Sequence, residues 1–121
     1  MGDELTEQII AASIEVHRHL GPGLLESVYE EALCFELAER GMPFERQKEV
    51  DVIYKGNRIK GQRIDLVVAG QVVVELKGTR EMQEYFVAQA LSYLKSTGLR
   101  RALVINFGLP RLVDGIKRIS L

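Results

Sequence analysis

Residues 63–78 read RIDLVVAGQVVVELKG, and this stretch decides the fold. It holds two apolar runs on either side of a turn at Ala69-Gly70, which predicts a β-hairpin. In its second run, residues 72–74 are apolar without alternation, a pattern typical of a strand that is covered on both faces. The hairpin is therefore expected at the centre of a sheet with helices around it.

Helical and strand patterns continue on both sides of the hairpin. Apolar spacing and breaker residues predict helices over residues 4–20, 24–40 and 80–97. Alternation and apolar runs predict strands over residues 50–54, 59–68, 71–77, 102–107 and 116–121. A strand, a helix and a strand in succession imply a parallel pair. The order predicts one α/β domain over residues 1–121, with a mixed central β-sheet flanked by helices.

Three charged residues, Asp65, Glu75 and Lys77, interrupt the apolar runs of the hairpin. A charge in a buried strand is costly unless it is paired or bound to a metal. Glu75 and Lys77 share one face because side chains alternate along a strand. A two-residue loop at Ala69-Gly70 would set Asp65 opposite Val74, on the wrong face. We therefore predict an odd offset, from a three-residue loop or a one-residue bulge, which brings Asp65 to Glu75.

Two carboxylates and a lysine on one face suit the hydrolysis of a phosphodiester. Carboxylates hold Mg²⁺, which keeps several waters and binds substrate phosphate. The ion lowers the pKa of a bound water, and a nearby lysine orients that water or neutralises the phosphate. The residues leave one alternative open, in which Asp65, Glu75 and Lys77 form salt bridges on a solvated sheet face.

Glu26 lies in the first turn of the second predicted helix. Leu33 and Leu37 follow it at i+7 and i+11, so its side chain is in line with an apolar stripe. If Gly23 is the N-cap, Glu26 occupies the third helical position, where an acid favours the helix dipole. A site residue and a capping residue both remain open.

Gln89 lies on a comparable stripe of the third predicted helix, which Thr79 would cap. Met82, Phe86, Gln89 and Tyr93 fall at i, i+4, i+7 and i+11. A glutamine within an apolar stripe needs a hydrogen-bond partner. It either faces the strand that carries the acids or bonds to a backbone carbonyl.

The charges are unevenly spread along the chain. Residues 1–54 hold 12 acids and 4 bases, whereas residues 55–121 hold 5 acids and 12 bases. A basic half can attract a polyanion, although oppositely charged halves can also attract each other within the fold. The bases that favour a polyanion are Lys55, Arg58, Lys60, Arg63, Arg80, Arg100 and Arg101.

The cellular compartment follows from three absences in the sequence. No apolar run approaches the ~20 residues that span a bilayer, so no membrane is expected. The acidic start MGDELTEQII lacks the pattern of a signal peptide. Cys34, the one cysteine, cannot form an internal disulfide and is interpreted as a small core residue. A cytoplasmic protein is the simplest interpretation.

Several motifs together resemble a known family. Gly23-Leu-Leu-Glu26-Ser-Val-Tyr29 resembles the signature of the GxxExxY protein family. Asp65 with Glu75-Leu-Lys77 resembles the D…(D/E)xK core of the PD-(D/E)xK nuclease superfamily, to which that family is assigned. Gln89-Ala-Leu-Ser-Tyr93 resembles the QxxxY pattern that follows this core. The resemblance covers roughly residues 9–121.

This resemblance implies a restriction-endonuclease-like core of αβββαβ type, with a site on one side of the sheet. It implies a catalytic set and a metal-binding set for Mg²⁺ or Mn²⁺. The implied catalytic residues are Glu26, Asp65, Glu75, Lys77 and Gln89. The implied metal ligands are Asp65, Glu75 and the Leu76 carbonyl, with Glu26 a further candidate. Tyr29 and Tyr93 belong to the motifs without an assigned role, and His17 is expected to pack or cap rather than react.

The leading hypothesis is a Mg²⁺- or Mn²⁺-dependent, endonuclease-like enzyme that acts on DNA. A second hypothesis is a non-cleaving module that keeps the fold and binds nucleic acid or a protein partner. A third is a metal-dependent hydrolase of a small phosphorylated substrate. No separate recognition motif is present, so a homodimer or a protein partner would have to supply sequence specificity.

Overall fold

Three α-helices and five strands make up the computed structural model, which describes residues 3–121. The helices are α1 (Glu4–Leu20), α2 (Glu26–Glu39) and α3 (Glu84–Thr97). The strands are β1 (Phe44–Tyr54), β2 (Asn57–Val68), β3 (Val72–Lys77), β4 (Arg101–Asn106) and β5 (Ile116–Ser120). A short 3-10 helix, Leu112–Gly115, precedes β5. Met1 and Gly2, which begin the acidic N-terminal stretch and the predicted domain, lie outside the described residues.

The strands form one sheet in the order β1-β2-β3-β4-β5. Only β3 and β4 pair in parallel, and the other neighbours are antiparallel. The predicted mixed sheet and its parallel pair across α3 are therefore confirmed. From α2 to β4 the elements follow the expected αβββαβ order.

Helices cover both faces of the sheet at β3. Val72, Val74 and Leu76 belong to a core cluster with residues of α1 and α2, such as Ile9. Val73, which points the other way, belongs to a second cluster with residues of α3. The prediction of a strand covered on both faces is confirmed. None of the helices within residues 3–121 has the length and hydrophobicity that crossing a membrane requires.

Two predicted elements begin at the wrong residue. The first strand begins at Phe44 rather than at residue 50. The prediction missed its first half because residues 45–49 are all polar and show no apolar alternation. The third helix begins at Glu84 rather than residue 80, with Gln83 as its N-cap. Thr79 therefore caps no helix, and its hydroxyl donates to the Glu81 carbonyl instead. The segment between β3 and α3 lies against the end of β4, where Thr79 and Glu81 bond to Asn106.

The start of α2 also differs from the prediction. Leu25, in extended conformation, is the N-cap, and Glu26 is the first helical residue rather than the third. Gly23 has φ +103, which excludes the backbone conformation of an ordinary helix start. The capping role considered for Glu26 at the third helical position is therefore wrong, although its acid still lies at the favourable end of the helix dipole.

Candidate functional site

The loop between β2 and β3 holds three residues, Ala69 to Gln71. Its flanking pairs are Val68 with Val72 and Leu66 with Val74. Ala69 and Gly70 have φ +54 and +66, as in a type I′ turn, and the Gln71 N–H donates to the Val68 carbonyl at 3.0 Å. The odd hairpin offset predicted from the sequence is confirmed, and it sets Asp65 opposite Glu75.

Asp65 and Glu75 are joined by two hydrogen bonds across the hairpin. The Asp65 N–H donates to Glu75 Oε1 at 3.0 Å, and the Leu76 N–H donates to Asp65 Oδ2 at 2.8 Å. Side chains thus replace the backbone pairing at the point where the ladder between β2 and β3 ends. The two carboxylates lie side by side at that end of the sheet.

Glu75 is buried and Asp65 is half-buried, and the charge of Lys77 only partly offsets the resulting rise in their pKa values. Glu75 is 3% exposed, and burial, followed by the nearby charge of Asp65, raises its pKa to about 8. Burial also raises the pKa of Asp65, although the bond from the Leu76 N–H opposes the shift. Among residues 3–121, no lysine, arginine or histidine nitrogen lies within 4.0 Å of either carboxylate. The alternative of a salt-bridged trio on a solvated face is wrong.

Each carboxylate also keeps one oxygen, Asp65 Oδ1 and Glu75 Oε2, that has no hydrogen-bond partner within the described chain. Neither of these oxygens is sealed from solvent, because no unpartnered side-chain oxygen or nitrogen in that part of the chain is buried. Two close acids with accessible oxygens and no direct ion pair form a donor set that suits a hard divalent cation. The residues present therefore fit such an ion.

Lys77 turns toward α3 rather than toward the acids. Its Nζ donates to Gln89 Oε1 at 2.8 Å and lies 4.9 Å from the centre of the Phe86 ring. Gln89 Nε2 in turn donates to the Tyr93 hydroxyl at 3.3 Å. The partner that Gln89 required is thus the lysine, and the alternative of a backbone carbonyl is wrong. Burial, followed by the charge of Glu75, raises the pKa of Tyr93.

Glu26 lies at the rim of this site. Its side chain is exposed, and its Cγ lies beside Gly78, 3.4 Å from where a Cβ on that glycine would be. Its charge still reaches both acids, since it contributes to the raised pKa values of Asp65 and Glu75. Across residues 3–121, no three acidic, histidine or cysteine side chains converge closely enough to hold an ion. Asp65 and Glu75 therefore lie together, whereas Glu26 does not complete a three-residue metal site with them.

Tyr29 and His17 fix the loops around the site. The Tyr29 hydroxyl donates to the Gly21 carbonyl at 2.5 Å and accepts from the Leu24 N–H at 3.1 Å. Its ring stacks on Phe107 with the ring centres 4.6 Å apart. His17 Nε2 lies 2.9 Å from the carbonyl oxygen of Leu109, in the loop after β4. Tyr29 and His17 thus each join a helix to a neighbouring loop by hydrogen bonds.

Asn106 is a site residue that the sequence reasoning missed. It lies beside Lys77 in the parallel pair and is fully buried. Its Oδ1 accepts from the N–H groups of Thr79 and Gly108, and its Nδ2 donates to Thr79 Oγ1 and the Glu81 carbonyl. Asn106 thus holds the segment that leaves β3 after the lysine. The signal was a polar side chain at the end of the apolar run ALVIN, since such a group must find partners.

Glu30 is a second residue that was missed. It follows Glu26 by one helical turn and is 8% exposed. Its carboxylate accepts from Arg46 Nε at 3.1 Å and from Gln47 Nε2 at 2.8 Å. Gln47 has φ +51 and lies where the pairing of β1 with β2 skips Asp65. Glu30 therefore ties an irregular point of β1 to α2, next to the acid.

An open cleft of about 630 Å³ adjoins the site at the end of β3. Residues 22–24, residues 78–80, Gly108 and Pro110 line it. A Cβ on Gly108 would lie 2.2 Å from the Thr79 carbonyl oxygen, so only glycine fits there. The cleft is thus bounded mainly by backbone, with Arg80 as its cation.

A comparison with known protein families agrees with this architecture. A model of the PD-(D/E)XK nuclease superfamily matches residues 3–119. No curated protein and no solved structure matches the chain. The mixed five-stranded sheet and three helices within residues 3–121 are those of a restriction-endonuclease-like fold. The family match spans nearly the whole chain, which therefore belongs to the PD-(D/E)XK nuclease superfamily.

Proposed function

We propose that the protein is a divalent-metal-dependent nuclease that hydrolyses phosphodiester bonds in DNA. Membership of the superfamily indicates a nuclease-type function, and nucleases of this superfamily generally use divalent metals. The observation that carries the proposal is the pair Asp65 and Glu75, two adjacent acids with accessible oxygens and no ion-pair partner among residues 3–121. Isolated buried charges of this kind are costly, so a bound cation is their natural complement.

The proposed metal ligands are the carboxylates of Asp65 and Glu75 and the carbonyl oxygen of Leu76. Oxygen donors of this type suit Mg²⁺ or Mn²⁺. When bound, the ion supplies a water of lowered pKa and neutralises charge that develops on the phosphate. Glu26, at the rim, adds negative charge that strengthens the attraction for a cation and orders water at the edge of the site.

Lys77 is the proposed catalytic cation. Gln89 holds its ammonium group by a 2.8 Å hydrogen bond, and Tyr93 holds Gln89. Such a fixed ammonium group is preorganised to orient the attacking water or to stabilise charge on the phosphate. Gln89 and Tyr93 act through the lysine and are positioning residues.

The cleft beside Gly78 is the proposed path of the nucleic-acid backbone. It adjoins Glu26 and carries the exposed Arg80, which has no carboxylate within 4.0 Å among residues 3–121. An exposed guanidinium without an ion-pair partner binds phosphate well. Pro22 to Leu24 form its other wall, held by Tyr29.

We further assign the chain to the GxxExxY group of the superfamily. The signature runs from Gly23 to Tyr29, and the contacts of Tyr29 explain why an aromatic hydroxyl suits its last position. The active unit is the domain of residues 1–121. We propose that it works in the cytoplasm, where DNA is accessible and the unpaired Cys34 stays reduced. Sequence specificity would come from a homodimer or a protein partner.

A second candidate is a non-cleaving module that binds nucleic acid through the same surface. The observation that favours it is that no third acidic, histidine or cysteine side chain within residues 3–121 joins Asp65 and Glu75 in a group that could hold an ion. A third candidate, the hydrolysis of a small phosphorylated substrate, would use the cleft beside Gly78 without a polymer.

Cleavage assays separate these candidates. Purified protein is incubated with single-stranded, duplex and branched DNA and with RNA, in Mg²⁺, Mn²⁺ or EDTA. We expect metal-dependent cutting of DNA that Asp65→Ala and Lys77→Ala abolish, whereas the matched surface changes Asp114→Ala and Lys117→Ala leave it intact. Cutting that persists in both site variants would remove these residues from the mechanism. Salt-sensitive binding without cutting would favour the non-cleaving module. If the protein neither binds nor cuts these polymers, a small phosphorylated substrate would be favoured.

A further inference from the structure

The hairpin of β1 and β2 extends beyond the rest of the sheet. The last pair between β2 and β3 is Leu66 with Val74, and the bonded acids Asp65 and Glu75 follow it. Residues 57–63 of β2 have no partner on β3 and pair only with β1. We call residues 49–63 the arm. Seven strand residues span about 20 Å, so β2 continues well beyond the last residue of β3, while Val50 of β1 packs against α3.

The outer part of the arm is exposed, whereas Val50 at its base is buried against α3. Every residue from Ile53 to Arg63 is exposed, including the large apolar side chains of Ile53, Tyr54 and Ile59. A two-stranded ribbon alone is at best marginally stable in water. An exposed ribbon beside a candidate active site is therefore suited to contact a ligand.

The charge of the arm indicates what that ligand is. Residues 55–63 read KGNRIKGQR, with four cations and no acid. Arg58 forms a 3.3 Å ion pair with Asp51. Lys60 and Arg63 have no carboxylate within 4.0 Å among residues 3–121. A basic ribbon with unpaired cations is complementary to a polyanion.

The shape of the arm fits a groove. Its tip is a tight turn of Lys55 and Gly56, with φ +50 and +81. The register between the strands shifts between Val50 and Val52, opposite Gly61, which has φ +121. Such a bulge bends the ribbon and increases its twist. The major groove of B-form DNA, about 12 Å wide, admits a two-stranded ribbon, whereas that of an A-form RNA helix is too narrow.

We propose that the arm enters the major groove of a DNA duplex whose backbone lies at Asp65 and Glu75. Lys60 and Arg63 contact phosphates at its base, and the exposed side chains near the tip face the base edges. The proposal rests on the proposed nuclease function, to which it adds a double-stranded substrate and the element that holds it.

Binding of short fluorescent DNA is measured by anisotropy over a range of salt, with the full chain carrying Asp65→Asn to prevent cutting. In that background, Lys60→Gln with Arg63→Gln is compared with the charge-matched control Arg40→Gln with Lys117→Gln, at exposed cations outside the arm. We expect the arm variant to weaken duplex binding and to reduce the salt slope by about 2, because each lost phosphate contact lowers it by about 1. The control should keep the parent slope, and thermal melts establish that each variant is folded.

Equal slopes for the parent and the arm variant would overturn the proposal. So would an equal loss of single-stranded binding, which needs no groove, or a dimer in sedimentation that the arm variant alone dissociates. Cleavage separates this failure from that of the proposed function. If the protein without Asp65→Asn cuts a duplex while the arm variant binds normally, only the arm proposal fails. If the protein neither binds nor cuts a duplex, both proposals fail.

Discussion

Asp65 and Glu75 hold each other in place across the hairpin of β2 and β3, through the Asp65 N–H on Glu75 Oε1 and the Leu76 N–H on Asp65 Oδ2. This arrangement keeps two acids together without a direct ion pair, at a cost in desolvation and repulsion. Replacing a buried charged group by an apolar residue of similar size is often neutral or stabilising, so the pair is not needed for stability. This cost is the reason for the cation site proposed above.

Stability of the metal-free protein should fall as the pH rises. The pKa of Glu75 is raised from 4.5 to about 8, so between these values the folded state binds more protons than the unfolded state. The stability present below pH 4.5 is then lost as the pH rises through about 8. Urea denaturation in EDTA should show this fall, and Glu75→Gln should flatten it and stabilise the protein at alkaline pH. The exposed control Glu49→Gln should retain the slope, and an unchanged slope in Glu75→Gln would refute the assigned burial of charge.

Removal of the Lys77 ammonium group should slow cleavage without weakening DNA binding. Loss of one preorganised electrostatic group typically costs a factor of about 10²–10³ in rate. Single-turnover cleavage by Lys77→Met should fall by about this factor, and Gln89→Leu should give a smaller fall that reflects a displaced lysine. Lys117→Met serves as the control. A rate unchanged in Lys77→Met, or a loss that lies entirely in binding, would contradict the catalytic role.

Asn106 should matter for stability more than an exposed asparagine does. Asn106→Ala leaves the N–H groups of Thr79 and Gly108 without their acceptor in a closely packed region. A buried unsatisfied donor costs about 1–3 kcal/mol, so the loss of the acceptor of two donors should lower the free energy of unfolding by about 2–6 kcal/mol. Asn57→Ala, at the exposed start of β2, should change it by less than about 0.5 kcal/mol. Equal effects of the two substitutions would mean that the Asn106 bonds do not hold this segment.

Cys34 should resist thiol reagents in the native protein. It is 6% exposed within the core of α1 and α2, and burial raises its pKa to about 11, against the opposing effect of Arg46. Since only the thiolate reacts, modification by a disulfide reagent near pH 8 should be slow in buffer and fast in urea. Rapid modification under native conditions would contradict the burial, and with it the interpretation of Cys34 as a core residue.

The sequence predicted those parts of the site that depend on local geometry. The period of two along β3 placed Glu75 beside Lys77. The requirement for a shared face predicted an odd hairpin offset, which the structure shows as a three-residue loop before Val72. Gln89 also followed from its helical stripe. These relations depend on a few consecutive residues, so patterns reveal them.

Parts that depend on distant segments were not predicted. The first half of β1 is polar because Arg46 binds acids of α2, a contact that no strand pattern contains. The late start of α3 arises because Asn106, 27 residues away, bonds to Thr79. Glu26 matched a motif, yet it begins α2 and forms no metal-binding group with the hairpin acids among residues 3–121.

The central claim is the metal site at Asp65 and Glu75. Its most direct test is a titration with Mn²⁺ that is monitored by isothermal calorimetry and by the electron paramagnetic resonance of the free ion. It needs no substrate and no cleavage. The account predicts a Mn²⁺ site that Asp65→Asn or Glu75→Gln abolishes or weakens by tenfold or more (about 1.4 kcal/mol) and that Asp114→Asn leaves unchanged. Binding by Asp65→Asn as tight as that of the unaltered protein would contradict it.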